Sequence, residues 1–299
     1  MKLKFRPFRR AIQLASFFAL NALIFNRAIA YLSLKPALLP LPLLSSINSP
    51  FSAAYGVYDV VQAAAALGEF PWLAIAVILI TGSIVGRAFC GWACPIGLIQ
   101  ELVVEARGRK GRVSPRIHEA AKKLKFFVLG LTLLVSGTVG LSVRLNVWEG
   151  YRAALGSLSK GPFFPFSPDG IIFGTLPHLL SLAFLGRGYG AAGEPPLQLV
   201  AFKMFILGVF LAGAFSVPLF WCRYVCPVGA LMGMLGKFSF LGLGRSLIKC
   251  EKCPDCVKAC PMQIKILELP WEKFNHQECI LCMECADACK HGAIRPKFP

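Results

Sequence analysis

Long apolar stretches alternate with basic, polar segments along this chain. Four of the stretches have about 20 residues with few charges, the length of helix that crosses a bilayer core of roughly 30 Å. We predict membrane-spanning helices at about 11–33, 71–90, 124–143 and 199–220. A fifth stretch, 171–186, is shorter and contains Pro177, so we expect it to lie in the outer interface or dip into it without crossing.

Basic residues are distributed unevenly around these stretches. The amino terminus and the segment between the second and third stretches carry Lys2, Lys4, Arg6, Arg9, Arg10, Arg107, Arg109, Lys110, Arg112, Arg116, Lys122, Lys123 and Lys125. The segments on the other side carry only Lys35, Arg144, Arg152, Lys160 and Arg187. The positive-inside rule places the basic segments in the cytoplasm. We predict a multi-pass protein of the cytoplasmic (inner) membrane of a prokaryote, with both termini cytoplasmic.

Composition agrees with a membrane location. Hydrophobic residues make up 56% of the 299 residues and charged residues 16%, which is more apolar than a typical soluble domain. A net charge of +17 would attract nucleic acid, but the placement of the charges explains it as a topology signal, so we expect no nucleic-acid partner.

The first stretch also resembles a secretory signal ending near Ala28-Ile29-Ala30. We expect an uncleaved anchor instead.

The second and fourth predicted spans end in the same cysteine motif. FCGWACPIG at 89–97 and WCRYVCPVG at 221–229 both contain Cys-x-x-x-Cys-Pro. Each half of this region is a span, an outer loop, a span and the motif. This order predicts two tandem two-helix repeats related by an axis along the membrane normal, which brings both cysteine pairs to one membrane face.

The composition changes after Leu241, where cysteine motifs of a different kind begin. Residues 250–260 and 279–289 both follow Cys-x-x-Cys-x-x-Cys-x-x-x-Cys, a run in which three thiolates bind one 4Fe-4S cluster and the fourth binds its neighbour. We predict one cluster on Cys250, Cys253, Cys256 and Cys289, and a second on Cys260, Cys279, Cys282 and Cys285. Zinc sites need only four ligands and disulfides are rare in the cytoplasm, so two quartets favour a dicluster ferredoxin.

Four of the twelve cysteines remain: Cys90, Cys94, Cys222 and Cys226. They are candidates for one shared iron-sulfur cluster, for a redox-active dithiol or copper site, or for buried structural thiols. Nearby Arg87 and Arg223 would favour thiolates. Cys256-x-x-x-Cys260-Pro261 has the same spacing, although its two thiols should serve different clusters, so the motif leaves all three hypotheses open.

Other redox groups lack support in the sequence. The histidines His118, His178, His276 and His291 form no facing pair within the spans that could ligate haem, and Cys-x-x-Cys-His is absent. A Rossmann glycine motif following a strand is also absent. We therefore expect no haem and no flavin, with iron-sulfur clusters as the redox groups.

Quinone binding would require acids or histidines near the membrane boundary to handle protons. Candidates on the outer side are Glu149, Asp169, His178 and Glu194, and Asp59 and Glu69 are no stronger. Each is more often a solvated loop residue. Lys203, inside the fourth predicted span, must pair or snorkel, and we expect it to snorkel.

Lysines surround the first ferredoxin motif at positions Lys249, Lys252, Lys258 and Lys265. They would attract an acidic redox partner or anionic lipid headgroups. The sequence does not decide between these two.

The ordered combination of four apolar stretches, two Cys-x-x-x-Cys-Pro motifs and a tail with two ferredoxin motifs resembles the NapH/MauN family of membrane ferredoxin-type proteins over essentially the whole chain. The resemblance implies a quinol dehydrogenase membrane subunit that exchanges electrons between the quinone pool and a partner redox protein within a larger oxidoreductase complex. The chain is also similar to the membrane half of the nitrous-oxide-reductase maturation proteins, although no segment here is long enough to form their flavin domain.

These observations predict an all-α polytopic membrane domain at 1–245, with four transmembrane helices in two tandem two-helix repeats, and a small α+β bacterial dicluster ferredoxin-like domain at 246–299. Whether the chain is itself an enzyme or only the electron-transfer subunit of one stays open. The rival hypothesis is an assembly factor that reduces copper for delivery. The methionines form no ladder for soft-metal transfer, since they are only Met1, Met204, Met232, Met234, Met262 and Met283.

Overall fold

The computed structural model describes residues 5–21, 37–45, 54–108, 111, 113–185 and 197–298. The elements up to residue 160 are α1 (Phe5–Leu20), β1 (Ala37–Leu41), β2 (Ala54–Gly56), α2 (Val57–Ala66), α3 (Trp72–Val85), α4 (Ala88–Trp92), α5 (Pro95–Arg107), α6 (Pro115–Lys122), α7 (Leu124–Arg144), α8 (Trp148–Leu155) and a 3-10 helix (Gly156–Lys160). The following elements are a 3-10 helix (Phe164–Phe166), α9 (Pro168–Gly170), a π-helix (Ile171–Thr175), α10 (Leu176–Leu185), α11 (Leu197–Ser216), α12 (Phe220–Tyr224), α13 (Pro227–Gly236), β3 (Gly242–Arg245), α14 (Asp255–Ala259), a 3-10 helix (Ile266–Glu268), α15 (Glu284–Asp287) and β4 (Ile294–Lys297). The fold is mostly helical.

Two helical segments of the described chain are long and apolar enough to cross a membrane: α6 together with α7 (Pro115–Arg144), and α11 (Leu197–Ser216). In their most apolar windows only 28% and 11% of the residues are buried. Large apolar side chains therefore point outward, as in lipid-facing helices and unlike the buried core helix of a soluble protein. Examples are Phe127, Leu134, Phe205 and Phe215. By length and composition, these two helices suggest a membrane protein.

The predicted spans and the observed helices differ mainly at their ends. The third prediction, 124–143, agrees with α7. The second, 71–90, is wrong at its carboxyl end, because Gly86 at φ 57° ends α3 after Val85. The 14 residues of α3 extend about 21 Å, which is shorter than the bilayer core. The fourth prediction, 199–220, is also too long at its carboxyl end, because α11 ends at Ser216.

The first predicted span, 11–33, is described only as far as Asn21, at the end of α1. Its remainder, with the signal-like residues 28–30, lies outside the described residues. The 171–186 stretch forms the π-helix and α10, and its amino-terminal part buries Ile171 and Phe173 against neighbours that include α11. That it does not cross the membrane stays a prediction.

The buried side chains form two cores. The helical core includes Val57, Ile96, Leu129, Phe210 and Met232. The cysteine-rich core includes Leu243, Met262, Phe274, Ile280 and Ile294. β1 pairs in parallel with β2, and β3 pairs antiparallel with β4. The second pairing crosses the predicted domain boundary after residue 245, so the helical part and the tail share one small sheet.

Candidate iron-sulfur and electron-transfer site

The two Cys-x-x-x-Cys-Pro motifs have the same local structure. In each, a residue with positive φ, Gly86 at 57° or Leu219 at 53°, comes shortly before a five-residue helix that carries the first cysteine. The second cysteine, Cys94 or Cys226, is extended and directly precedes a helix that begins with proline. Proline disfavours helical backbone at the residue before it and suits the first helical position, which explains the break.

The four cysteines of these motifs are buried and close enough to influence one another electrostatically. Burial raises the pKa of Cys94 to about 11 and that of Cys226 to about 12, and neighbouring thiols raise both further. The pKa of Cys222 is raised for the same reasons. Because metals bind the thiolate, a metal centre bound by Cys94, Cys222 and Cys226 would have to displace their protons.

Polar groups from the helices that follow both Cys-x-x-x-Cys-Pro motifs reach these sulfurs. Gln100 of α5 donates from Nε2 to Cys222 Sγ at 3.2 Å, and its Oε1 accepts from the Trp221 main-chain nitrogen at 2.8 Å. The Gly229 main-chain nitrogen lies 3.5 Å from Cys226 Sγ. Hydrogen bonds to sulfur are one means by which proteins tune iron-sulfur centres.

Each Cys-x-x-x-Cys-Pro motif has one cysteine in each of the two cores. Cys94 and Cys226 belong to the helical core, whereas Cys90 and Cys222 belong to the cysteine-rich core. The four-thiol group therefore lies where the cores meet.

Residues 87–92 contact residues 277–281 directly, and we call this contact the seam. Trp92 Nε1 donates to the Leu281 main-chain oxygen at 2.9 Å. A Cβ placed on Gly91 would lie 2.5 Å from the Ile280 main-chain oxygen, so only glycine permits this approach. The seam joins the helical part directly to the second ferredoxin motif.

Arg87 is fully buried at the seam. It donates from Nη1 to Glu278 Oε2 at 2.8 Å and from Nη2 to the Cys222 main-chain oxygen at 2.8 Å. Lys125 Nζ binds the other oxygen of Glu278. Burial alone would raise the pKa of Glu278, but Arg87 and Lys125 outweigh it and lower that pKa to about 2. Arg87 thus connects the two Cys-x-x-x-Cys-Pro segments and the tail.

Arg223 serves the other ferredoxin motif in a similar way. It is also fully buried and donates to the Pro261 main-chain oxygen, directly after Cys260. Its Nη1 also lies 3.4 Å from Gln263 Oε1. The sequence suggested cations near the four thiols, and the structure shows that Arg87 and Arg223 also fasten the tail.

Cys260, Cys279, Cys282 and Cys285 line a single cavity. Its other walls are apolar side chains, including Met262, Ile264 and Phe274, together with His276. Burial raises the pKa of Cys279 to about 11 and also raises the pKa values of Cys282 and Cys285. The structure thus brings together one cysteine from the first motif and three from the second.

The cysteines of the first motif lie nearer the surface. Cys250 and Cys253 are half-buried and Cys256 is buried; burial raises the pKa of Cys256, and its two motif partners add to the shift. Cys289 accepts from the Ala293 main-chain nitrogen at 3.3 Å. It follows α15, which packs on α14, the helix that carries Cys256.

No disulfide joins any of the twelve cysteines. No group of three or more histidine, cysteine or acidic side chains in the described ranges converges tightly enough to hold a single metal ion. A four-iron cluster is larger than one ion and its thiolates lie farther apart.

Comparisons with known proteins agree with this architecture. A family model described as a 4Fe-4S binding domain matches residues 70–113 and 199–246, and one described as a 4Fe-4S dicluster domain matches 249–294. The uncharacterized protein MJ0750 of Methanocaldococcus jannaschii is 30% identical, over 74% of this chain and 76% of its own length. The ferredoxin-type protein NapH of Haemophilus influenzae is 26% identical, over 74% of this chain and 66% of its own length.

The ferredoxin-type protein MauN of Methylobacillus flagellatus is 25% identical over 71% of this chain and 62% of its own length. The chain belongs to the NapH/MauN family of membrane ferredoxin-type proteins. No solved structure matches it. The resemblance predicted from the motifs is confirmed, and this family member has iron-sulfur, electron-transport relatives over most of its length.

Sequence reasoning missed several residues that organise the site of this NapH/MauN protein. Glu278 belongs to none of the predicted sites, and the sequence indicates Lys125 only as a charge that sets the topology. Arg9 of α1 is buried and pairs with Glu101 at 2.8 Å and Glu284 at 2.9 Å. The sequence offers two signals for this network: a glutamate next to Cys279, and basic residues at the ends of apolar stretches.

The structure places the described quinone candidates in different surroundings. Asp169 is buried and accepts from Ser167 Oγ; Asp59 is buried in the first turn of α2, Glu69 is exposed and His178 half-buried. The Glu149 side chain and Glu194 lie outside what the structure describes. Lys203 Nζ donates to Thr175 Oγ1 at 3.0 Å; that this side chain snorkels stays a prediction.

Proposed function

We propose that this chain is a membrane-bound iron-sulfur electron-transfer subunit that exchanges electrons between the quinone pool and a partner redox protein within a larger oxidoreductase complex. One observation carries the proposal. The four-thiol group lies between the two cores, and the seam places it beside the second ferredoxin motif. Electrons entering at the membrane would therefore meet candidate redox positions in an unbroken series.

The ferredoxin tail, proposed as residues 246–299, would hold two 4Fe-4S clusters. We assign Cys260, Cys279, Cys282 and Cys285 to the inner cluster, and the shared cavity supports this set. We assign Cys250, Cys253, Cys256 and Cys289 to the outer cluster. Such clusters supply one-electron transfer when bound, while the chain supplies thiol ligands, apolar walls and the buried arginines that hold the segments.

Cys90, Cys94, Cys222 and Cys226 are proposed to hold a further iron-sulfur centre. Their proximity, their burial and the match of a 4Fe-4S binding model to both segments favour this over separate structural thiols. Two four-iron clusters would give about 8 iron atoms per chain, and a third centre about 10 to 12. Anaerobic purification followed by iron and sulfide analysis distinguishes these values, and replacing Cys222 with serine should remove only the excess over about 8.

The membrane part, proposed as residues 1–245, would contain four spans in two tandem repeats. The matched local structure of the two Cys-x-x-x-Cys-Pro motifs supports the repeat, and the charge distribution supports cytoplasmic termini. The shortness of α3 implies that its span includes residues beyond the helix or meets a locally thinned bilayer.

Addition of menaquinol or ubiquinol to the anaerobically purified protein tests the function. We expect the quinol to reduce the clusters, and visible absorbance and electron paramagnetic resonance spectra to show this reduction. A response to neither quinol would contradict the proposal. Copper retained through purification, with clusters unresponsive to quinol, would instead favour the copper-reducing assembly factor.

A further inference from the structure

A cleft of about 480 Å³ lies between the start of the α6–α7 membrane helix and the tail. Val113 and His118 line one side, and Met262, Ile264 and His276 line the other. The volume falls within the range of small-molecule sites, and the lining combines these apolar side chains with polar and charged ones, among them Lys122, Lys265 and Glu268.

The cleft adjoins the inner quartet of cysteines. Met262, Ile264 and His276 line both the cleft and the cavity of Cys260, Cys279, Cys282 and Cys285. A molecule in the cleft would thus be separated from the thiols by no more than these side chains. Of the outer-side quinone candidates, none lines this cleft.

The polar groups in the cleft are ordered by neighbouring bonds. His276 Nδ1 accepts from the Glu278 main-chain nitrogen at 3.0 Å, which leaves Nε2 as the proton-bearing nitrogen of the neutral ring. His118 Nδ1 lies 2.9 Å from the Tyr224 hydroxyl. These rings offer the kind of hydrogen-bonding groups that a carbonyl or hydroxyl oxygen of a quinone head group requires.

The cleft also has routes to lipid and to water. It lies at the amino-terminal end of a helix that is long and apolar enough to cross the membrane, and Ile117, beside His118, is 63% exposed. On the other side the Glu119 side chain, at the cleft, is 70% exposed. A ligand with an apolar tail and a redox-active, proton-releasing head fits both routes.

We propose that this cleft binds the head group of a quinone or quinol, which specifies where the proposed function takes place and rests on it. On oxidation both O–H bonds of the quinol would break and its two protons would leave to water through the mouth of the cleft. Its two electrons would need one-electron acceptors, which iron-sulfur clusters held by the tail cysteines would supply. The competing location is a cavity of about 370 Å³ between α2 and α7, lined by residues that include Ala63 and Val143. None of the cysteines lines that cavity.

The test uses the full-length, cluster-loaded protein in lipid nanodiscs and 2-heptyl-4-hydroxyquinoline N-oxide, a fluorescent quinone analogue. Fluorescence quenching gives its dissociation constant. Val113→Trp, which fills the cleft, should weaken binding at least about tenfold, whereas Val143→Trp, which fills the competing cavity, should not. An unchanged cluster spectrum in both variants verifies folding.

Photolabelling of the unsubstituted protein with an azidoquinone provides a second measurement that does not depend on any variant. We expect label on peptides containing 113–122 or 262–269. Label near 63–67 or 139–143, or loss of analogue binding only in Val143→Trp, would overturn the location while quinol still reduces the clusters. Clusters of the unsubstituted protein that fail to respond to quinol would overturn the proposed function and this inference with it.

Discussion

The two cysteine quartets of the tail occupy contrasting environments. Cys260, Cys279, Cys282 and Cys285 line a cavity with apolar walls next to the seam. Cys250 and Cys253 of the other quartet are half-buried, between lysines 249, 252 and 258, which are all exposed. Cys260 and Cys279 of the first set are half-buried too, and Cys256 of the second is buried. The contrast therefore lies in the neighbours, which are apolar walls around the first set and exposed lysines beside the second.

The contacts that hold the two quartets in the fold differ as well. Buried arginines fasten the inner segments, with Arg87 on Glu278, Arg223 on Pro261 and Arg9 on Glu284. At the outer motif, His291 Nε2 lies 3.2 Å from a Glu251 carboxylate oxygen in an exposed contact, and such surface contacts contribute little to stability. The inner quartet is thus built into the fold, while the outer quartet is suited to contact with another protein.

The largest effect should follow from breaking the ion network of the inner quartet. Glu278→Gln leaves Arg87 and Lys125 buried without a countercharge, so we expect the free energy of unfolding to fall by about 3–5 kcal/mol. The matched control is Glu268→Gln, whose carboxylate is 69% exposed beside Lys265 and should contribute less than about 1 kcal/mol. Thermal unfolding in detergent measures both, and equal shifts would contradict the contrast.

A smaller loss should follow from steric change near the seam. A Cβ at Gly233 would lie 2.8 Å from the Gln277 main-chain oxygen, so Gly233→Ala should cost about 1–3 kcal/mol, as overpacking does. Gly137 of α7 has open space at the same position, and alanine there should be neutral or stabilise by up to about 1 kcal/mol. A stable Gly233→Ala protein with unchanged iron content would show that the contact tolerates expansion.

Charge changes beside the outer quartet should have the smallest effect on stability. They should have a clear effect on association with a redox partner. Replacing Lys249 and Lys258 with glutamate should slow electron transfer to an acidic flavodoxin probe by about tenfold at low salt, and the difference should shrink as salt is raised. Lys160→Glu, also exposed but far away in the predicted topology, is the control. Stopped-flow kinetics measures the rates; a loss independent of salt would argue against electrostatic docking.

The sequence was sufficient for features that depend on local spacing. Cysteine spacing and apolar stretches predicted the family, the iron-sulfur class and a membrane location, because each is determined by residues close together in the chain. The break at Cys94 and Cys226 also followed from the prolines after them.

Features that depend on distant residues or on backbone choice could not be predicted in this way. Nothing beside Glu278 in the sequence indicates that Arg87 and Lys125 will surround it. The end of α3 depends on the positive φ of Gly86, which hydropathy does not register. The cleft at His118 forms only when the tail folds against α6.

The close approach of Gly91 to Ile280 has a consequence for kinetics. Electron tunnelling weakens exponentially with separation, so a carrier pair held across a flexible hinge would exchange at a rate that varies with every fluctuation. Here the main chain of Gly91 packs against the main chain of Ile280 with no side chain between them. This contact fixes the distance between the two segments. Whatever centres occupy the two sides, their exchange rate is then set by driving force and reorganisation energy, not by motion of one part relative to the other.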